Sequence, residues 1–289
     1  MITPPSLLTP RQWVRYIASA LEVVYEPREA ENVAYWVVEE GLHCTRTDIL
    51  LSRDERDFPS LDSILRRLLS HEPVQYIFGR TTWRGLTLQV SPATLIPRPE
   101  TAELVDRALA LCPADKPLRV LDACTGSGCI AIALKQERPL WQVEALDISP
   151  DALQIAQANA NAAATAQSDA NTNATSIRFF LHDLLGGTAL PAYDLIVSNP
   201  PYVRLSERAA MTNRVLNYEP ANALFVPDND ALRFYRALAS LGAATLCVEI
   251  NEAFGHEVCD LFRRAGYTDI QLFHDSYDKP RIVTGRMAQ

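Results

Sequence analysis

Asn199-Pro200-Pro201-Tyr202 follows an apolar run, Leu195-Ile-Val197, and its residue types suit one kind of chemistry. A proline donates nothing to a strand ladder and cannot continue one, so a strand over 195–197 has to stop at Asn199. What remains at the turn is mostly acceptors: the Asn199 side-chain oxygen and the carbonyls of Asn199 and Pro200, beside the Tyr202 ring. Such a turn can grip both N–H bonds of a planar NH2 group. The nitrogen of an amide or aromatic amine is a poor nucleophile while its lone pair is delocalised. Two acceptors orient it, favour lone-pair character and hold it in line with an electrophile, and Tyr202 can stack on the flat group. Alone, the tetrapeptide also reads as an ordinary strand-ending turn.

A second set of residues supplies the electrophile's site. Arg119-Val-Leu-Asp122-Ala-Cys124-Thr125-Gly126-Ser127-Gly128-Cys129-Ile-Ala131 reads as a strand, a glycine-bearing turn and a helix. Gly126 and Gly128 permit tight turning and close approach of backbone to a ligand. A further strand over 143–146 ends in Asp147, where a carboxylate can chelate two ribose hydroxyls. A third, over 177–181, leads to His182-Asp183-Leu184, where Asp183 can accept from an adenine amine and Leu184 can pack on the base. His182 by itself reads as a surface or locally bonded residue.

Gly126 to Ala131 also satisfies the dinucleotide pattern G-x-G-x-x-A, so a nicotinamide cofactor has to be considered. Three acids decide against it. Asp122, Asp147 and Asp183 each stand at or just after a strand end, which in an open parallel sheet puts them around one crevice. A pyrophosphate would meet poor electrostatics there, whereas S-adenosylmethionine has no phosphate and carries an ammonium and a sulfonium.

The elements that hold these residues follow from periodicity. Residues 1–74 read as a helical bundle, with apolar stripes at Val14, Ile17 and Leu21, at Val33, Val37 and Val38, and at Leu61, Ile64 and Leu68. Thr9-Pro-Arg-Gln12 has the form of a capping box. The runs Gln75–Gly79 and Leu86–Val90, around Arg84-Gly85, suggest a β-hairpin linker over 75–95. Residues 96–289 then form the catalytic domain, entered through Leu95-Ile-Pro-Arg-Pro-Glu-Thr101, where Glu100 or Thr101 can lie beyond the sheet. The Ala/Asn-rich stretch 160–175 reads as a frayed helix end and surface insertion. The polar stretch after Tyr202, up to Glu219-Pro220 and Leu224, reads as a loop over the pocket, and later strands bring the sheet to about seven.

Composition limits the alternatives. A net charge of −8 disfavours a protein whose main partner is a nucleic-acid backbone. Residues 1–75 hold eight Lys and Arg against twelve Asp and Glu, so the bundle is not a basic arm. Six scattered cysteines form no Cys-x-x-Cys pair, which argues against zinc and a disulfide framework. With no apolar run of membrane-spanning length and no signal-like start, the chain reads as cytoplasmic.

The combination resembles the class I S-adenosylmethionine-dependent methyltransferases and, within them, the HemK-type glutamine methyltransferases of peptide chain release factors. The resemblance rests on the helical N-terminus, Glu72-Pro-Val-Gln-Tyr-Ile-Phe-Gly79, Leu95 to Thr101, the glycine turn, Asn199-Pro-Pro-Tyr202, Tyr218-Glu-Pro220 and the ending Arg281-Ile-Val-Thr-Gly-Arg286. It implies an α/β fold: a Rossmann-like methyltransferase domain with a mostly parallel sheet of about seven strands. It also implies that Cys124, Thr125, Gly126, Ser127 and Gly128 embrace the donor's methionine part, that Asp147 holds the ribose, and that Asp183 and Leu184 flank the adenine. Asn199, which also borders the donor, and Pro200, with Pro201 and Tyr202 beside them, hold the substrate amide. The implied substrate is the glutamine of the Gly-Gly-Gln motif in class 1 release factors, with no metal and no membrane. Cys124 stands where the release-factor branch usually has glycine and is similar to the branch that methylates a large-subunit ribosomal protein. Methylation of a DNA adenine amine suits the same four residues, and a donor-binding module without activity is the remaining alternative.

Overall fold

The structure, a computed structural model, describes residues 7–166, 176–187 and 189–288. The chain divides into two compact units, residues 1–79 with 212–218 and residues 80–211 with 219–289. Most of the stretch 160–175, from 167 onward, lies outside the described residues.

The smaller unit is built from α1 (Pro10–Leu21), α2 (Pro27–Gly41), α3 (Arg46–Leu51), α4 (Leu61–Leu69) and α5 (Val74–Phe78). Helix α1 starts where its capping box demands. The Gln12 amide N–H donates to the Thr9 hydroxyl, and the Thr9 N–H donates back to the Gln12 side chain. Its apolar stripe buries Trp13, Val14, Ile17 and Leu21 against Val33, Ala34, Val37 and Val38 of α2. The Trp13 indole N–H, buried with its ring, donates to the Arg56 carbonyl at 2.8 Å. Helix α3 carries a second box, Thr45 with Asp48, whose sequence signature was readable.

The run at 75–79, expected as the first strand of the hairpin, is instead helical as α5. Pro73 sits at its N-cap and Gly79 closes it with φ 69°. The aromatic and β-branched residues that suggest a strand are here burying Val74 and Tyr76 from one short turn. Residues 212–218, far along the chain, also belong to this unit. Arg214 pairs with Glu29 and lies 4.5 Å from the Tyr25 ring centroid, and the Tyr218 hydroxyl donates to the Ser70 carbonyl at 2.9 Å.

The larger unit opens with a hairpin, β1 (Arg80–Trp83) and β2 (Leu86–Gln89), paired antiparallel. Arg84 and Gly85 both have positive φ, 48° and 75°, as a two-residue turn matched to strand twist requires. Then come α6 (Pro99–Leu111), β3 (Arg119–Ala123), α7 (Cys129–Glu137), β4 (Gln142–Asp147), α8 (Pro150–Ala166), β5 (Arg178–Leu181), β6 (Leu195–Ser198) and β7 (Val203–Arg204). After α9 (Asn213–Tyr218), which sits in the smaller unit, follow α10 (Ala221–Leu224), β8 (Phe225–Val226), α11 (Arg233–Ser240), β9 (Thr245–Glu249), α12 (Gly255–Arg264), β10 (Tyr267–His274) and β11 (Pro280–Met287). The stretch expected as a loop after Tyr202 is therefore largely ordered into short elements, with β7 paired to β8.

Seven strands form one sheet in the order β10-β11-β9-β6-β3-β4-β5. Strands β3, β4, β5, β6 and β9 are parallel, and β11 pairs antiparallel with both β9 and β10. Both faces are covered at the centre of the sheet, which is why β6 and β9 are buried along their whole length and do not alternate. Leu195 and Val197 pack with α6 and α7, while Ile196 packs with α11 and α12 on the opposite face. From β3 the chain steps outward to β4 and β5, then returns to β6 on the other side of β3. That reversal opens a crevice beyond the carboxyl ends of β3 and β6, where ligands bind in such sheets. The glycine turn follows β3 and Asn199 follows β6, so both sets of chemical residues meet there.

Candidate active site

The turn after β3 is shaped by backbone conformation and one buried acid. Cys124, Gly126 and Gly128 have φ of 63°, 54° and 81°. A Cβ on Gly126 would meet nothing within 4 Å, whereas one on Gly128 would lie 3.0 Å from the Ala156 Cβ. Gly126 thus leaves room over the turn, and Gly128 lets α7 approach α8.

Asp122 was expected at the crevice with the other two acids, but it faces inward. It is fully buried and its Oδ2 accepts from the Thr125 hydroxyl at 2.6 Å and the Ala131 N–H at 3.1 Å. Burial pushes its carboxyl up to about 7, against the pull of those two hydrogen bonds. Its part is to fold the turn. Asn159 of α8 holds the same turn from the other side, donating to the Ser127 carbonyl at 2.9 Å and bonding both the N–H and the carbonyl of Gln89.

A cavity of about 280 Å³ lies over the turn, lined by Cys124, Thr125, Gly126 and Ser127, by Asp147, Asp183 and Leu184, and by Asn199 and Pro201. Asp147 Oδ2 accepts from the Gly126 N–H at 2.9 Å and Oδ1 from the Ser149 N–H at 3.0 Å. Burial raises its pKa against those backbone bonds. Asp183 is exposed toward the cavity, with Oδ1 accepting from the Leu185 N–H, and Leu184 is buried. His182, read as a surface or locally bonded residue, also lines the wall, as do Asn222, Ala223 and Phe225 from the stretch expected to cover the pocket. Gly128, Pro200 and Tyr202 are not among the lining residues: Gly128 packs on α8, Pro200 is buried and Tyr202 turns its hydroxyl away. Burial first and Asp147 next push the Cys124 thiol well above its ordinary range.

At the β6 end, the Asn199 Nδ2 donates to the Thr101 hydroxyl at 3.1 Å. Thr101 in turn donates to Glu249 Oε2 at 2.8 Å, and the Tyr202 hydroxyl donates to Glu249 Oε1 at 2.9 Å. The Tyr202 ring, expected to stack on the substrate group, is fixed at its hydroxyl by this acid. Glu249 was missed in the sequence; the available signal was a lone acid ending the apolar strand Thr245-Leu-Cys-Val248. The segment carrying Thr101 is held by the Trp83 indole donating to the Arg98 carbonyl at 2.8 Å and by the pair of Arg98 with Glu219 at 2.5 Å.

Residues 107–224 match the family model described as the methyltransferase small domain, and residues 12–79 that of the PrmC N-terminal domain. The release factor glutamine methyltransferase of Bacteroides thetaiotaomicron is 39% identical over 93% of this chain and 97% of its own. That of Escherichia coli K12 is 33% identical over 96% of this chain and 99% of its own. The chain belongs to the release factor glutamine methyltransferase family. It is an S-adenosylmethionine-dependent methyltransferase, as the release-factor resemblance implied. Among solved structures, the catalytic domain of hMettl16 shares the fold, with a TM-score of 0.53 at 14% identity over 71% of this chain and 77% of that one. The sheet and its crevice are accordingly those of a class I methyltransferase. The cavity fits the family's donor on this structure's own terms: Gly126 leaves open space above it, and the Asp147 and Asp183 carboxylates on its wall suit hydroxyl and amine donors of a ligand that carries no phosphate. Among the described residues, no helix is long and apolar enough to cross a membrane.

Proposed function

We propose that this enzyme methylates the side-chain amide nitrogen of the glutamine in the Gly-Gly-Gln motif of class 1 peptide chain release factors. The observation that carries the reading is the state of Asn199: its Nδ2 is engaged by Thr101, which leaves Oδ1 as the end able to accept from a substrate NH2 group. The names of the relatives supply the substrate class.

In this reading Asp147 takes the ribose hydroxyls, Asp183 and Leu184 flank the adenine, and residues 124–127 of the turn embrace the methionine part of the donor, with Gly128 holding the turn against α8. When bound, S-adenosylmethionine supplies an electrophilic methyl on a sulfonium. The Asn199 Oδ1 accepts one N–H bond and the backbone carbonyl of Pro200, whose residue is buried outside the donor cavity, the other, and together they aim the nitrogen lone pair along the line of transfer. Pro201, which lines the cavity, gives the amide an apolar wall and Tyr202 anchors the turn from beneath. The nitrogen becomes a stronger acid once methylated and releases its proton afterwards, so no side chain has to act as a base before transfer. The helical unit is the platform for the protein substrate; the net charge of −8 favours that over a nucleic acid.

The test is transfer of labelled methyl to a release factor from the same organism, beside a version whose Gly-Gly-Gln glutamine is alanine. Label in the unaltered factor alone supports the proposal. Label absent from both and present in a ribosomal protein or in DNA overturns it. The substitution Asn199→Ala is expected to lower kcat by about 10²–10³-fold with donor affinity retained, the loss typical of removing one fixed transition-state partner. Near-normal turnover would sink the role given to Asn199.

A further inference from the structure

An asparagine can turn either end of its amide to a cavity, and only the oxygen end suits a substrate NH2. We propose that Glu249 is a positioning residue that, acting through Thr101, locks the Asn199 amide with Oδ1 toward the substrate nitrogen and so makes the site selective for a hydrogen-bond donor. The proposal rests on the amide-methylating reading above and deepens it.

The argument is a count of protons along one chain of hydrogen bonds. Glu249 ends β9 and is 2% exposed. Both of its oxygens accept, Oε2 from Thr101 at 2.8 Å and Oε1 from Tyr202 at 2.9 Å. A threonine hydroxyl has one proton, and here it is committed to the carboxylate, so Thr101 offers Asn199 only lone pairs. Asn199 answers with Nδ2 at 3.1 Å. The direction of every bond is thus set by the acceptor-only group at the buried end. With a donor at 249, the Thr101 proton would be free to point at Asn199. The amide would then turn its NH2 to the cavity, donor facing donor. Burial raises the Glu249 pKa, while Thr101, Tyr202 and the charge of Arg281 act to keep the carboxylate ionised, and Glu100 opposes them. The Tyr235 hydroxyl fixes the strand end itself, donating to the Glu249 carbonyl at 3.2 Å.

The test uses the full-length enzyme with Thr101→Val, Thr101→Ser and Glu249→Gln. Thr101→Val keeps the shape and removes the relay, and kcat on the release factor is expected to fall on the order of 10–100-fold with donor affinity unchanged. Thr101→Ser restores the relay and recovers most of that loss. Glu249→Gln lowers kcat as well, because a neutral amide holds the Thr101 proton less firmly than a carboxylate and can turn its NH2 to that hydroxyl. In ¹⁵N-correlated NMR, the Asn199 side-chain NH2 pair, identified by its absence from Asn199→Asp, is exchange-protected in the wild type and loses protection in Thr101→Val. Wild-type kcat in Thr101→Val, an equal loss in Thr101→Ser, or an NH2 pair indifferent to Thr101→Val would each overturn the proposal. If the wild type fails to methylate the factor while the NMR lock is present and Thr101-dependent, the substrate reading falls and the lock stands. Should Glu249→Gln not fold, the two Thr101 variants carry the test.

Discussion

Gly128→Ala is the perturbation whose cost follows most directly from the structure. Gly128 caps α7 with φ 81°, in the left-handed region, and a non-glycine residue there costs about 1–2 kcal/mol. The added Cβ would also lie 3.0 Å from the Ala156 Cβ and 3.2 Å from its Cα. The second of these is backbone, so no rotamer change relieves it, and overpacking of that kind costs about 1–3 kcal/mol. The sum, about 2–5 kcal/mol, is a large part of a stability of about 5–15 kcal/mol. Gly126→Ala is the internal control. Its φ of 54° carries a similar backbone cost, but its Cβ would meet nothing within 4 Å. The two variants should therefore differ by the steric part alone, about 1–3 kcal/mol, or about 2–12 °C in melting temperature for a unit of this size. Thermal unfolding without donor, followed by circular dichroism, measures the gap. Equal melting temperatures would refute the assignment of Gly128 to helix packing and return it to the donor-binding surface.

Two further outcomes test the buried polar groups that shape the turn. Asp122 has a folded-state carboxyl raised to about 7 against an ordinary 3.8, so the native state holds its proton where the unfolded chain has lost it. Stability should therefore fall as pH rises from about 4 to about 7 and level off above, by at most about 4 kcal/mol from this group. Asp122→Asn should flatten that slope in denaturant titrations across the window, and an unchanged slope would show that Asp122 does not carry it. Asn159→Asp keeps the size of a side chain that donates to two carbonyls and accepts from one N–H. A carboxylate cannot donate, so about 2–5 kcal/mol of stability should be lost at neutral pH, and recovery on acidification would support the mechanism. A variant as stable as wild type would refute it.

What the sequence determined by itself was local and chemically particular. The order of strand, glycine turn and helix, the carboxylate ending β4, and the prolines that stop β6 are signals acting over a few residues, because capping, φ restriction and lost N–H donors act at that range. They sufficed for the two-sided sheet and for the meeting of donor turn and Asn199 beyond it. Contacts between distant residues were decided only by the tertiary structure. Thr101 and Asn199 are 98 positions apart, and Thr101 and Glu249 are 148 apart. No local pattern relates them, and only the order β9-β6-β3, with α6 packed against it, brings the three together. The same holds for Asp122, whose place at a strand end read as crevice-facing until the packing of α7 turned it inward to cap the turn. It holds too for residues 75–78, where a run of strand-forming residues became a helix. Intrinsic β preference is weak beside the burial of Val74 and Tyr76 from a single proline-started, glycine-ended turn.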